Sequence, residues 1–175
     1  MSGWPKRAKR SFRMLLRTLM IVAALGLAAC TPQTATAPAV AEPVAKFHPA
    51  SGLEVVPLTV TSGDTVHNFQ VEIARTGNDQ ALGLMHRTDL GPNEGMIFPR
   101  SPARPASFWM KNTVIPLDII FVGTDGRILN IGANAVPLSL DPVVSIGPAA
   151  LVFEIPGGRA AELGIKAGDL VEWEQ

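Results

Sequence analysis

The chain has 175 residues with 15 basic and 15 acidic side chains, but six of the basic ones precede residue 18. After residue 30 the sequence has nine basic and fifteen acidic residues, a net charge of about −6. This acidic excess disfavours nucleic acid as a partner, because few cations remain to neutralise phosphates. The length suits one folded domain, and the single cysteine excludes an intramolecular disulfide.

The first thirty residues have the pattern of an export signal. A basic stretch, Lys6–Arg17, precedes the apolar run Leu19–Ala29. That run is too short to span a bilayer, which takes about 20 apolar residues, and matches the apolar region of a signal peptide. It ends in Leu27-Ala28-Ala29-Cys30, which resembles the lipobox of bacterial lipoprotein precursors. We predict a lipoprotein-type signal peptide over residues 1–29 and lipidation of Cys30. The alternative is an ordinary signal peptide with an incidental Cys30.

With a lipidated Cys30, the membrane is a predicted partner of this protein. Two or more acyl chains on Cys30 anchor a protein stably, and they exclude a cysteine nucleophile because no other thiol exists. Thr31, by resemblance to Gram-negative lipoproteins, favours the outer membrane. Residues 30–46 are rich in Pro, Ala and Thr, which predicts a tether of about 50 Å when fully extended. The expected location is the bacterial cell envelope, on the periplasmic face of the outer membrane in a Gram-negative organism.

Residues 47–175 predict a folded domain made mostly of strands. Val55–Thr61 and Thr65–Ala74 are rich in β-forming residues and flank a Ser-Gly-Asp turn, which predicts a hairpin. The helical spacing of Leu82 and Met85, with an N-cap side chain upstream, predicts a short helix over Gln80–Arg87.

Turn signals divide the rest of the domain into short elements. A helical turn is predicted over Arg159–Leu163, ending at Gly164. Strands are predicted over Met96–Phe98, Ala106–Lys111, Leu117–Val122, Arg127–Ile131, Ala149–Ile155 and Leu170–Trp173. Short, evenly punctuated strands with two short helices predict an α+β fold: a single compact β-rich domain with a curved, mainly antiparallel sheet or partial barrel.

The most unusual segment is Phe108-Trp109-Met110-Lys111-Asn112-Thr113. Strand alternation directs Phe108 and Met110 to the core, and Ser107, Trp109 and Lys111 to the other face. Asn112 and Thr113 then end the strand with side chains that bond to nearby backbone.

Asp118 is a lone acid at the head of the apolar run Leu117–Val122. An unpaired buried charge costs several kcal/mol, so this carboxylate needs a cation or several hydrogen-bond donors. The candidate cations are Lys111, Arg87 and Arg104.

Several motifs in this order resemble the domain of unknown function 192 family, also called uncharacterised protein family 0127. They are Gly83-Leu84-Met85-x-Arg87, Gly95-Met96-Ile97-Phe98, the Phe108–Thr113 segment, Ile115–Phe121, Asp125–Ile128 and Gly164–Asp169. The resemblance covers about residues 54–174. It implies a compact β-rich domain, often exported, and no established activity.

Two hypotheses fit the residues of this motif. In the first, Trp109 offers an apolar face to a carbohydrate ring, while Lys111, Arg87, Asn112 and Asp118 help to bind a hydroxyl-rich or anionic small ligand. Arg104 is a further candidate donor. In the second, the same residues are architectural: the indole covers the sheet, Lys111 and Asp118 form an internal ion pair, and Asn112 supports a turn.

Other functions require parts that the sequence does not bring together. A hydrolase using Lys111 and Asp118 needs a second carboxylate from a loop, Glu94 or Asp89. A Ser107 nucleophile activated by Lys111 is disfavoured, because the two residues lie about 13 Å apart along the strand, too far for direct proton transfer. An envelope protein that docks on an apolar face is a further alternative. The three histidines match no compact metal-ligand spacing, so no metal or cofactor is predicted; they are His48, His67 and His86.

Overall fold

The computed structural model describes residues 46–174. The predicted signal peptide, Cys30 and all of the predicted tether except Lys46 lie outside these residues. Within them, no helix combines the length and the apolar character needed to cross a membrane.

Seven strands and two short helices form this part of the chain. The strands are β1 (Val55–Ser62), β2 (Thr65–Ile73), β3 (Glu94–Phe108), β4 (Leu117–Val122), β5 (Ile128–Ala135), β6 (Val143–Pro156) and β7 (Leu170–Trp173). The helices are α1 (Gly77–Leu82), between β2 and β3, and α2 (Arg159–Leu163), between β6 and β7.

All seven strands belong to one sheet, in the order β5-β4-β6-β3-β2-β1-β7. Neighbouring strands are antiparallel except β2 and β3, which run parallel. The edges β5 and β7 approach each other at one end, where Arg127 and Leu170 form an isolated bridge, but the sheet is not closed. The predicted α+β domain with a curved, mainly antiparallel sheet and two short helices is confirmed.

Two clusters of buried apolar side chains form the core. Strand β4 serves both, because alternate residues of a strand point to opposite faces: Ile120 belongs to one cluster, and Ile119 and Phe121 to the other. We call the second one the site-side cluster, since it also contains Phe98 and Met110 and lies beneath the cavity described below. The Phe98 and Phe108 rings meet edge to face, with centroids 5.1 Å apart, an arrangement that aromatic pairs favour.

Helix α1 is shorter than predicted. Thr76 caps it: its hydroxyl accepts from the Asp79 N–H at 3.1 Å, and the Asp79 carboxylate accepts from the Thr76 N–H at 2.9 Å, a capping box. The predicted N-cap is confirmed, but the predicted span Gln80–Arg87 is wrong, because the helix ends at Gly83, whose φ is 49°. A residue with positive φ at the end of a helix interrupts the helical hydrogen bonding.

Strand β3 is longer than predicted. The two strands predicted at Met96–Phe98 and Ala106–Lys111 are parts of one strand that pairs with β6, with register shifts between Pro99 and Arg104 and again before Ser107. The strand ends at Phe108, so Trp109 and Lys111 belong to the following turn. Strands β5 and β6 also extend beyond their predicted bounds, whereas β4, α2 and β7 match theirs.

Candidate functional site

Residues 109–113 form a turn directly after β3. The Thr113 N–H donates to the Met110 carbonyl at 3.0 Å, and Asn112 has φ 57°, in the left-handed region that Asn tolerates better than most residues. The Asn112 carbonyl accepts from the His86 N–H at 2.9 Å, which ties the turn to the segment after α1. Asn112 therefore shapes the backbone at this point.

The side chains of the turn point as predicted. Met110 is buried in the site-side cluster, whereas Trp109 is 51% exposed and Lys111 is exposed. The Lys111 ammonium lies 5.2 Å from the centroid of the Trp109 ring, within the range of a cation–π interaction. The predicted ion pair between Lys111 and Asp118 is wrong: the ammonium contacts the indole.

Trp109 borders a cavity of about 290 Å³, near the lower end of the sizes typical of ligand pockets. Three parts of the chain surround it: α1 with the residues that follow it, the end of β3 with the 109–113 turn, and β6. The lining residues that bear polar groups are Gln80, Arg100, Ser107, Thr113 and Glu154. The apolar lining includes Leu82, Met85, Phe98 and Phe108. A cavity with an aromatic wall and a few polar groups is suited to a small, polar ring.

Glu154 lines this cavity, and its side chain is the feature that sequence analysis missed. It stands opposite Met96 of β3 and Ile119 of β4, both in the site-side cluster. The residue is only 5% exposed, and burial raises the pKa of its carboxyl to about 8. Neither a hydrogen bond nor a charged partner within residues 46–174 offsets this burial. At neutral pH the group is therefore a neutral acid with an unused O–H donor.

Arg100 is the other ionisable residue that lines the cavity. Its Nη2 donates to the Pro105 carbonyl at a long 3.4 Å, and its Nε is buried without a partner among the described residues. Burial lowers the pKa of the Arg100 guanidinium, and the charge of Arg104 lowers it further. Arg100 therefore places a partly buried cation in the cavity lining, with one donor that no described residue satisfies.

Among residues 46–174, Asp118 is held by backbone amides and by no cation. Its Oδ1 accepts from the Asn134 N–H at 2.7 Å and from the Gly158 N–H at 2.9 Å, and its Oδ2 accepts from the Ala160 N–H at 2.8 Å. Gly158 has φ 83°, which glycine adopts without strain, and this conformation begins α2. The predicted cationic partners are wrong: none of Lys111, Arg87 and Arg104 pairs with Asp118. The other predicted solution, several hydrogen-bond donors, is the one observed.

Asp118 is fully buried, and its hydrogen bonds connect β4 to β5 and to the start of α2. Because its oxygens already accept three hydrogen bonds and it does not line the cavity, the geometry does not favour a hydrolase that uses Asp118 with Lys111.

Arg87 lies in a separate buried network. Its Nη2 is 2.9 Å from Glu72 Oε1, and His48 Nδ1 lies 3.8 Å from the same oxygen. Ser51 also donates to the Glu72 carboxylate. The network fastens the segment before β1 to β2 and to the turn after α1. The structure does not bring Arg87 to the cavity.

A loop with exposed apolar side chains lies beside the 109–113 turn. The Met110 N–H donates to the Ser139 carbonyl and the Leu138 N–H to the Thr113 carbonyl, both at 3.0 Å, so the loop of residues 136–142 packs beside the turn. Its exposed apolar residues are Val136, Leu138 and Leu140. The protein-docking alternative would use this surface.

A comparison with protein families identifies the domain. The model of the DUF192 family, described as an uncharacterised ACR, matches residues 58–173. The chain belongs to the DUF192 family. This confirms the resemblance predicted from the sequence motifs. Among curated proteins, none matches the chain.

Two solved structures resemble this DUF192 domain. A protein of unknown function from Novosphingobium aromaticivorans DSM 12444 is 60% identical over 73% of this chain and 91% of its own, with a TM-score of 0.71. A protein from Sinorhizobium meliloti 1021 named "putative transcription regulator" is 35% identical over 69% of this chain and 95% of its own, with a TM-score of 0.67.

The two polar residues missed in this DUF192 chain had only weak signals in the sequence. Glu154 is the single acid in the apolar run Leu151–Pro156, the same signal that drew attention to Asp118. Arg100 lies between Pro99 and Pro102, and prolines argue against the strand in which the structure places it. In the part of the chain that the structure describes, no three His, Cys, Asp or Glu residues are grouped so as to hold a metal ion.

Proposed function

We propose that this DUF192 protein is an exported, lipid-anchored domain that binds a small polar ring, of the carbohydrate type, in the cavity between Trp109 and Glu154. The observation that carries the proposal is Glu154, which is only 5% exposed, lines the same cavity as a half-exposed tryptophan, and has no hydrogen-bond or charged partner for its carboxyl among residues 46–174. Unsatisfied polar groups in a concave site are typical of binding sites.

The chemistry of the cavity matches such a ligand. An indole offers an apolar face to the C–H groups of a sugar ring, and Lys111 holds this indole through the cation–π contact. Ser107, Thr113 and Glu154 line the same cavity, and hydroxyl and carboxyl groups are suitable partners for ligand hydroxyls. The cavity volume of about 290 Å³ suits one ring rather than a chain of several.

The proposed export and anchoring rest on the sequence of residues 1–46. The apolar run, the Leu27–Cys30 motif and the Pro-rich tether agree in order and spacing with a lipoprotein precursor. The domain has nine basic and fourteen acidic residues over positions 46–174, and this acidic excess does not support a role on nucleic acid.

Mass spectrometry of the protein extracted from bacterial membranes checks the anchor. We expect a chain that begins at Cys30 and carries acyl chains, because a lipobox is cleaved just before its cysteine. A chain that retains residues 1–29, or one cleaved elsewhere without acylation, contradicts the anchor.

Substitution of Trp109 by Ala is expected to weaken ligand binding by about tenfold, because ring stacking on an indole contributes about 1–1.5 kcal/mol. The measurement is calorimetric titration of the wild type and the variant with a panel of monosaccharides and their acidic derivatives. Ile146→Ala is the matched control, since Ile146 is 78% exposed and does not line the cavity. No binding by the wild type, or equal binding by Trp109→Ala, would contradict the proposed function.

A further inference from the structure

We infer that the cavity selects an acidic ring, of the uronic acid type, and binds it together with the proton carried by Glu154. In this arrangement the Glu154 O–H donates to an oxygen of the ligand, while Arg100 binds the ligand's carboxylate. The inference rests on the proposed function and names the class of ligand for the same site.

The charges around the cavity favour an anion. The ionisable residues that line it are Glu154 from β6 and Arg100 from β3; α1, the residues after it and the 109–113 turn contribute uncharged lining side chains. Two more cations stand close by: Arg104 acts on Arg100, and Lys111 lies on the Trp109 ring. With Glu154 neutral, Arg100 is the one charged residue of the described cavity lining, and it carries no opposing carboxylate there.

This local excess of cations stands out against the rest of the domain. Residues 46–174 carry a net charge of −5, so the domain as a whole repels an anion, and the cations at the cavity offset this repulsion locally. A cationic ligand would meet Arg100 with no carboxylate to compensate. Arg100 is a cation in the cavity lining, and a guanidinium is suited to bind a carboxylate.

The proton on Glu154 decides whether an anion can enter. A neutral carboxyl donates a hydrogen bond to an acceptor on the ligand, as carboxylic acids in apolar sites do. An ionised Glu154 would be a second anion beside the ligand and would have no donor to offer. Because burial raises the pKa of Glu154 to about 8, the competent form predominates at neutral pH. Above that pH, binding must take one proton from solvent onto Glu154.

The test is calorimetric titration of the full chain, extracted in detergent, with D-glucuronate and with neutral D-glucose between pH 6 and pH 9.5. For the wild type we expect tighter binding of glucuronate than of glucose at pH 6. We expect the glucuronate affinity to be constant up to about pH 7 and to fall about tenfold per pH unit above pH 8, the slope for one linked proton.

Two variants separate the roles of the polar groups. Glu154→Gln retains an N–H donor that does not ionise, so it should bind glucuronate at pH 6 and lose the fall at alkaline pH. Arg100→Gln should weaken glucuronate binding at least about tenfold and weaken glucose binding less, so that the preference for glucuronate over glucose is lost. Arg75→Gln is the matched control, because Arg75 pairs with Glu54 on the surface.

The possible failures are distinguishable. A glucuronate affinity that does not change between pH 6 and pH 9.5, or that falls equally in Glu154→Gln, overturns the inference. Binding of glucose with no preference for glucuronate also overturns it but leaves the proposed function standing. Absence of binding by glucose, glucuronate and the wider panel overturns both.

Discussion

Replacing Glu154 by Gln is expected to stabilise the folded protein by about 3 kcal/mol at pH 7 and by almost nothing at pH 4. The carboxyl has a folded-state pKa of about 8, against an ordinary value of 4.5. Below pH 4.5 both the folded and the unfolded chain hold the proton, so burial of the neutral acid has no pH-dependent cost.

Between pH 4.5 and pH 8 the unfolded chain loses this proton and the folded chain keeps it. The folded state therefore loses stability as pH rises, by about 1.4 kcal/mol for each pH unit, and the loss levels off near 5 kcal/mol above pH 8. Glutamine has a similar shape and cannot ionise, so it removes this loss.

Urea unfolding of the two proteins from pH 4 to pH 9 measures the effect. Glu172→Gln is the matched control: Glu172 is exposed on the edge strand β7, where water solvates it in the folded and unfolded states alike. A stability difference between wild type and Glu154→Gln that does not grow with pH would show that Glu154 titrates normally.

Replacing Asp118 by Ala is expected to destabilise the domain by about 4 kcal/mol. The substitution leaves the N–H groups of Asn134, Gly158 and Ala160 without their acceptor, and each unsatisfied buried donor costs about 1–3 kcal/mol. These donors belong to β5 and to the start of α2, so the variant loses the hydrogen bonds that connect β4 to these two elements.

Asp118→Asn provides a finer test of the same contact. Its amide retains one acceptor oxygen but turns an N–H toward a backbone N–H, so we expect a smaller loss of about 2 kcal/mol. Urea unfolding measures both, with the exposed turn residue Asp64 changed to Ala as control. If Asp118→Ala unfolds at the same urea concentration as Asp64→Ala, the three hydrogen bonds do not hold these elements together.

Much of the fold was predictable because the pattern is local. Strand β4 is an apolar run apart from Asp118, and glycines mark the turn after α2 and the turn before β7. The bounds of these elements therefore follow from neighbouring residues. Strand β3 was not predictable in full. Pro99, Pro102 and Pro105 lack N–H donors and argue against a strand, yet the register shifts of β3 against β6 accommodate prolines within one long strand.

The site was predictable only in its exposed part. Alternation placed Trp109 and Lys111 outside the core, and the structure confirms this. The partners of Asp118 come from 16 to 42 residues away in the sequence and are backbone groups, which no side-chain pattern reveals. The cavity joins three distant segments, so the presence of Glu154 and Trp109 in one lining follows from the tertiary fold and not from the sequence of any one segment.

The central claim is that Glu154 holds a proton inside a cavity that binds an acidic ring. Carbon-13 NMR titration of its side-chain carboxyl, with and without D-glucuronate, tests this most directly. The structure predicts a pKa near 8 for the free protein and a higher pKa when glucuronate is bound, because the anion favours the neutral acid. A pKa near 4.5 that glucuronate leaves unchanged would contradict the claim.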